Sequence, residues 1–97
     1  MKIEFDPDKE YANRLKHGVS LGDVEGLDWE RSVISLDRRH DYGEPRMIGY
    51  VPKRNRLYCV VFVDREGVRR IISLRKANKR ETKRYARDVH GIHSSHS

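Results

Sequence analysis

Residues 68–89, Val68-Arg-Arg-Ile-Ile-Ser-Leu-Arg-Lys-Ala-Asn-Lys-Arg-Glu-Thr-Lys-Arg-Tyr-Ala-Arg-Asp-Val89, constrain the fold more than any other stretch. The first half alternates, which predicts a strand with Arg70, Ile72 and Leu74 on one face and Arg69, Ile71, Ser73 and Arg75 on the other. Isoleucine and leucine suit a pleated, half-buried surface. After Ala77 the pattern changes. Asn78 and Glu81 have capping-box spacing, with asparagine in place of the usual serine or threonine. Thr82, Tyr85, Ala86 and Val89 then recur at i, i+3, i+4 and i+7, one side of an amphipathic helix. Lys79, Arg80, Lys83, Arg84 and Arg87 fill the remaining positions. A strand and a helix therefore present cations together at their junction, with Arg75 and Lys76 at the corner.

Charge is unevenly spread around this corner. Residues 69–97 hold nine Lys or Arg against Glu81 and Asp88, a net of +7, whereas residues 1–68 are close to neutral at −1. A cationic half on a near-neutral body points to a polyanionic partner, of which nucleic acid is the commonest. A solvated basic surface is the competing reading, because charge runs are frequent on soluble helices. The 97 residues are enough for one domain with a modest core. Met1-Lys-Ile-Glu-Phe-Asp6 lacks the apolar segment of a secretory signal, and no apolar run reaches the roughly 20 residues of a membrane span. The single Cys59 falls inside Leu57-Tyr-Cys-Val-Val-Phe-Val63, which predicts a buried, reduced thiol and excludes an intrachain disulfide. These features predict a cytoplasmic protein with no membrane partner.

In chain order, Lys2 to Phe5 predict a short strand. Asp6-Pro7 is an N-cap followed by proline at the first helical position, and Tyr11, Ala12 and Leu15 are expected to supply that helix's buried stripe. Gly18 offers a left-handed C′ residue. Ser20 opens a second helix with Asp23 in the capping-box position and Leu21, Val24 and Leu27 behind it. Trp29, near its end, is a core residue or an anchor for a partner. Strands are expected at Ser32–Asp37 and Arg46–Val51, joined by a polar loop. The apolar run Leu57–Val63 belongs in mid-sheet, covered on both faces. Asp64-Arg-Glu-Gly67 closes a hairpin back into the strand described first. The domain is expected to span 1–89, followed by a disordered His/Ser tail, 90–97. The order is β-α-α-β-β-β-β-α, an α+β fold with helices flanking a small antiparallel sheet.

Several segments, taken together, resemble the BrnT toxins of BrnT/BrnA type II toxin–antitoxin systems. They are Phe5-Asp-Pro7, Asn13 with Lys16-His-Gly18, Glu44-x-Arg46, Gly49, and Arg70-Ile-Ile-Ser-x-Arg-Lys-Ala77. The matching segments run from Phe5 to about Tyr85. The resemblance implies a RelE-like ribonuclease fold and an endoribonuclease that cleaves RNA, in association with the ribosome or free of it, and so inhibits translation. It further implies neutralisation by a BrnA-like antitoxin in a 2:2 complex, with operator DNA bound only through the antitoxin. A binding or interaction module without catalysis, using the same basic surface, is the alternative.

RNA cleavage without a metal or other cofactor needs a base for the 2′-OH, cations for the phosphoryl oxygens and an acid for the leaving 5′-oxygen. Arg75 and Lys76 are the candidate cations, at a strand end beside a helix N-terminus; plain phosphate positioning is their other reading. His17 is a candidate acid or base, though a histidine before a C′ glycine also suits the helix dipole. Glu44 and Arg46 are either a base–cation pair or a surface ion pair. Arg70, Lys79, Arg80 and Lys83 are candidate RNA contacts, with a salt-bridged structural role equally open to Arg70. His40 and Tyr42 are loop rings that can stack on an unpaired base. Tyr85 reads as core and Glu81 as a cap. A metal site is not expected, because Asp37, Asp41 and Glu44 are interspersed with Arg38, Arg39 and Arg46, and His90, His93 and His96 lack a fixed backbone.

Overall fold

The computed structural model describes residues 1–39, 41 and 43–94, with side chains as far as residue 90. The elements are β1 (Lys2–Glu4), α1 (Pro7–His17), two 3₁₀ helices (Leu21–Gly26 and Trp29–Arg31), β2 (Val33–Leu36), β3 (Met47–Lys53), β4 (Arg56–Arg65), β5 (Val68–Lys76) and α2 (Lys79–Ser94). They make an α+β fold around one five-stranded sheet of order β1-β5-β4-β3-β2. The last four strands form an antiparallel meander, whereas β1 joins parallel to β5, so the sheet is mixed and not wholly antiparallel. β1 and β5 are not consecutive: α1, the 3₁₀ helices and β2–β4 lie between them, and this long connection lets them pair in parallel, as a tight hairpin could not.

The apolar run in β4 puts it at the centre. Val60 and Phe62 face a core built with Leu21, Val24, Leu27, Val51, Ile71 and Leu74. Cys59, Val61 and Val63 point to the opposite face and are also buried, so both faces of β4 are covered, as its composition predicts. The second expected helix is a 3₁₀ helix. Its capping box forms as anticipated, with Ser20 accepting from Gly22 N–H and Asp23 from Ser20 N–H. Trp29 packs edge-on against Phe62, 5.6 Å between centroids, and its indole N–H donates to the Val24 carbonyl. Arg69 lies over both rings and pairs with Asp64 through two bonds of 2.8 and 2.9 Å. Glu66 and Gly67 both have positive φ, the geometry of a two-residue hairpin turn.

Two expectations fail for physical reasons. A β-bulge leaves Ile72 without a partner on β4, since Val61 pairs with Ser73 and Phe62 with Ile71. One extra residue reverses the alternation. Leu74 therefore joins Ile71 and Arg69 on the core face, and not Arg70 and Ile72. Tyr11 and Leu15 do not form a buried stripe; they are 68% and 72% exposed. The buried residue of α1 is Asn13, whose amide donates to the Leu74 and Val19 carbonyls and accepts from Leu74 N–H. β1 pairs with β5 only as far as Arg70, so the next stretch of β5 would be a bare edge. The Asn13 side chain supplies there the donor and acceptor of a missing strand. Glu10 adds a second polar tie, accepting from Ser20 Oγ at 2.6 Å and from Leu21 N–H. Gly18 ends α1 at φ 72°, its N–H bonded to Arg14, as the sequence indicates.

α2 is held mainly at its start and along a narrow stripe of half-buried Glu81, Tyr85 and Val89. Tyr85 is thus not core; its hydroxyl donates to the Arg31 carbonyl at 2.7 Å. The helix runs on to Ser94, past the Val89 where the apolar period stops. Residues 95–97, the remainder of the expected tail, lie outside the described residues, as do His40 and Tyr42.

Asn13→Ala is expected to destabilise the fold by about 2–3 kcal/mol, because it strands a buried donor and acceptor on Leu74. Urea unfolding monitored by Trp29 fluorescence measures it. A midpoint equal to that of the parent would mean that water replaces the amide.

Candidate functional site

Strand register assembles the site. Tyr50 on β3 pairs with Cys59 on β4, and Cys59 with Arg75 on β5, so the three side chains form one row on the face away from the main core. The chain then turns at Ala77 and starts α2. Asn78 and Glu81 make the anticipated reciprocal cap, Glu81 N–H to Asn78 Oδ1 at 2.8 Å and Asn78 N–H to Glu81 Oε1 at 2.9 Å. The same carboxylate reaches back over the row. It takes Arg75 Nη1 and Nη2 at 2.7 Å each and the Tyr50 hydroxyl at 3.1 Å.

The electrostatics follow from that clasp. The Arg75 fork holds the Glu81 carboxyl well down, at about 2, while Glu81 pushes the Arg75 guanidinium up. Burial raises Tyr50 to about 12, so its hydroxyl stays protonated. Burial likewise raises the Cys59 thiol, an inert core group. His17, at the end of α1, titrates below its ordinary value, first from partial burial and then from the charges of Lys16 and Arg75. It is thereby biased to the neutral form near pH 7, the form able to accept a proton.

Other sequence candidates lie elsewhere. Lys76 is the residue after Arg75 on the same strand and so projects to the opposite face, where it lines a cleft with the β3–β4 turn. Glu44 pairs with Arg65, at 2.5 and 3.0 Å. Arg65 is six residues beyond Cys59 on β4, about 20 Å along the strand, so Glu44 is not brought to Arg75. Arg46 is half-buried and precedes β3, towards that same far end. Arg70 shares a face with Arg75 but bonds Glu4 at 3.2 Å. Lys79, Arg80 and Lys83 are exposed on α2 beside the clasp. Sequence reasoning missed Tyr50, and recognised Glu81 as a cap but not as the partner of Arg75. No local signal marks Tyr50, since only strand register delivers it. Among the described residues no His, Cys, Asp or Glu cluster could hold a metal ion.

A family model described as "Ribonuclease toxin, BrnT, of type II toxin-antitoxin system" matches residues 5–81. That span runs from Phe5, just after β1, to Glu81 and so includes the whole Tyr50–Arg75–Glu81 clasp. Comparison with curated protein sequences returns no match.

The depressed Glu81 carboxyl has a consequence for stability. Its folded value lies below its ordinary 4.5, so the clasp contributes fully above that pH and is lost as pH falls towards about 2. With the guanidinium partly open to solvent, the contribution is on the order of 2 kcal/mol. Glu81→Gln is expected to be less stable than the parent at about pH 7, with the gap closing at about pH 2. Urea midpoints across that range measure it; a gap independent of pH would contradict a charged clasp.

Proposed function

Because this chain belongs to the BrnT family of ribonuclease toxins of type II toxin–antitoxin systems, we propose that the Arg75 corner is its RNA-cleaving site and works without a metal ion. The observation that carries this reading is the clasp, which holds one guanidinium fork at a strand end beside a helix N-terminus. A donor pre-aimed in this way stabilises developing phosphoryl charge without reorganising during the reaction. Arg75 retains donors beyond the two given to Glu81, and these meet the phosphoryl oxygens. Neutral His17 takes the 2′-OH proton. The 2′-oxygen then attacks phosphorus, the bond to the 5′-oxygen breaks, and that oxygen takes a proton from solvent. Products are a 2′,3′-cyclic phosphate and a free 5′-hydroxyl. Lys79, Arg80 and Lys83 draw the RNA in as an exposed cationic face on the adjoining turn of α2. Cleaved message stops translation.

The test is incubation of purified protein with RNA and an excess of chelator, with the products resolved by length and end group. Arg75→Ala is expected to cut about 10²-fold less RNA per folded molecule, the scale of a lost transition-state donor. Because Arg75→Ala also loosens α2, the folded fraction is measured alongside. Intact RNA with the parent protein would favour a module that only binds, and equal rates would remove Arg75 from the reaction.

The same field bears on the partner. An antitoxin with an acidic segment would be drawn to Lys79, Arg80 and Lys83 and would cover the corner, blocking RNA sterically and electrostatically. Two toxins and two antitoxins form the resting complex, in which the antitoxin supplies the dimer contact and the DNA binding. Hydrogen exchange with and without the co-expressed antitoxin is expected to show protection within residues 69–87. Protection confined elsewhere, with cleavage still silenced, would replace masking by remote inhibition.

A further inference from the structure

The arginines of the sheet are mostly neutralised. Arg65, Arg69, Arg70 and Arg75 each face a carboxylate. Four cations at one end of the sheet do not. Lys53, Arg54, Arg56 and Lys76 line an open cleft of about 590 Å3 with Tyr58 and Thr82, and no acidic residue lines it. None of the four forms an ion pair among the described residues.

Register explains the cluster. Lys53 and Arg56 are directly opposite each other where β3 meets β4, and Lys76 is directly opposite Tyr58. Arg56 and Tyr58 are two apart on β4 and so share a face, which gathers Lys53, Arg56 and Lys76 around the Tyr58 ring. Arg54 occupies the tip at φ 55°. Like charges directly opposite on a hairpin are destabilising. Here a lysine–arginine pair stands beside two further cations with no acid to relieve it, as suits a surface that receives an anion from outside. The cleft lies at the same end of the sheet as Arg75, on the opposite face.

We infer that this cleft binds backbone phosphates of single-stranded RNA flanking the scissile one, an inference that rests on the ribonuclease reading of the Arg75 corner. The strand crosses the end of the sheet with one phosphate at Arg75 and its neighbours against Lys53, Arg56 and Lys76. Lys76 is then a substrate-binding residue and not a second cation at the reacting phosphate. The cleft carries positioning and affinity without base readout, since its charged groups recognise phosphate in any sequence.

The experiment uses a fluorescent 2′-O-methyl oligoribonucleotide, which lacks the attacking hydroxyl and so reports binding without cleavage. Its affinity is measured across a salt series for the parent and for Lys53→Gln/Arg56→Gln, at matched thermal midpoints. Affinity is expected to fall at least about tenfold, with the log–log salt slope shallower by about 1.4, or 0.7 for each of two phosphates. Lys76→Gln alone is expected to give about half that change in slope, and it stands in should the double variant unfold. Lys2→Gln/Lys9→Gln, the same charge removed elsewhere, is expected to keep the parent slope. A cleft variant that binds like the parent, while the parent still cleaves ordinary RNA, overturns the cleft and leaves the ribonuclease reading standing. Equal losses in cleft and control variants overturn it too, as an effect of net charge alone. Loss of antitoxin binding with RNA binding intact would assign the cleft to the protein partner. A parent that neither binds nor cuts RNA removes both readings.

Discussion

Four hydrogen bonds converge on the Glu81 carboxylate, and three parts of the molecule meet because of them. Through Asn78 it closes the first turn of α2. Through Arg75 it fixes that helix to the end of β5, and through Tyr50 it reaches β3 across the buried Cys59 of β4. An ionised carboxylate half-buried against a sheet is costly unless each lone pair is used, and here they are. The rest of α2 makes little apolar contact, so its direction from the sheet depends heavily on this one group. The arrangement also gives Arg75 a fixed aim. Stability and the aim of the guanidinium are linked at this point, since whatever frees Arg75 also frees the helix.

The sheet separates two uses of positive charge. Arg65, Arg69 and Arg70 are tied to Glu44, Asp64 and Glu4, and Arg69 additionally covers the aromatic pair Trp29 and Phe62. These side chains are held in ion pairs. Their field is cancelled locally, so the net +6 of the chain is expressed elsewhere. It emerges at the β3–β4 turn, at Lys76 and on the outer face of α2, all at or beside the end of the sheet that carries Arg75. Unpaired cations gathered at one end concentrate the positive potential there.

α1 is attached by polar groups where an apolar stripe was expected. Asn13 imitates a strand along the open edge of β5, and Glu10 holds the start of the 3₁₀ helix. A fully paired buried amide is directional in a way that leucine packing is not, so it sets the register of α1 along β5. That register also carries His17 to within electrostatic reach of Arg75. Tyr11 and Leu15 are consequently left on the solvent side.

Local rules were legible from the residues alone. Both capping boxes, the left-handed Gly18, the two-sided burial of β4 and the strand-to-helix passage at Ala77 each depend on neighbours within a few positions. The α+β class followed from their order, and the family from the resemblance of particular segments, the block Arg70–Ala77 above all. What the sequence could not determine depends on pairing between distant segments. The bulge at Ile72 reversed the face of Leu74, because a single extra residue inverts a period of two. Lys76 separated from Arg75 for the same geometric reason, as adjacent strand residues point apart. Glu44 found Arg65 and not Arg46, since the ion pair forms between whichever chains the sheet lays side by side. Tyr50 entered the site only because β3 and β5 flank β4 in one register. The composition specified a basic corner; the tertiary structure decided which of its cations are neutralised, which are aimed and which are left open.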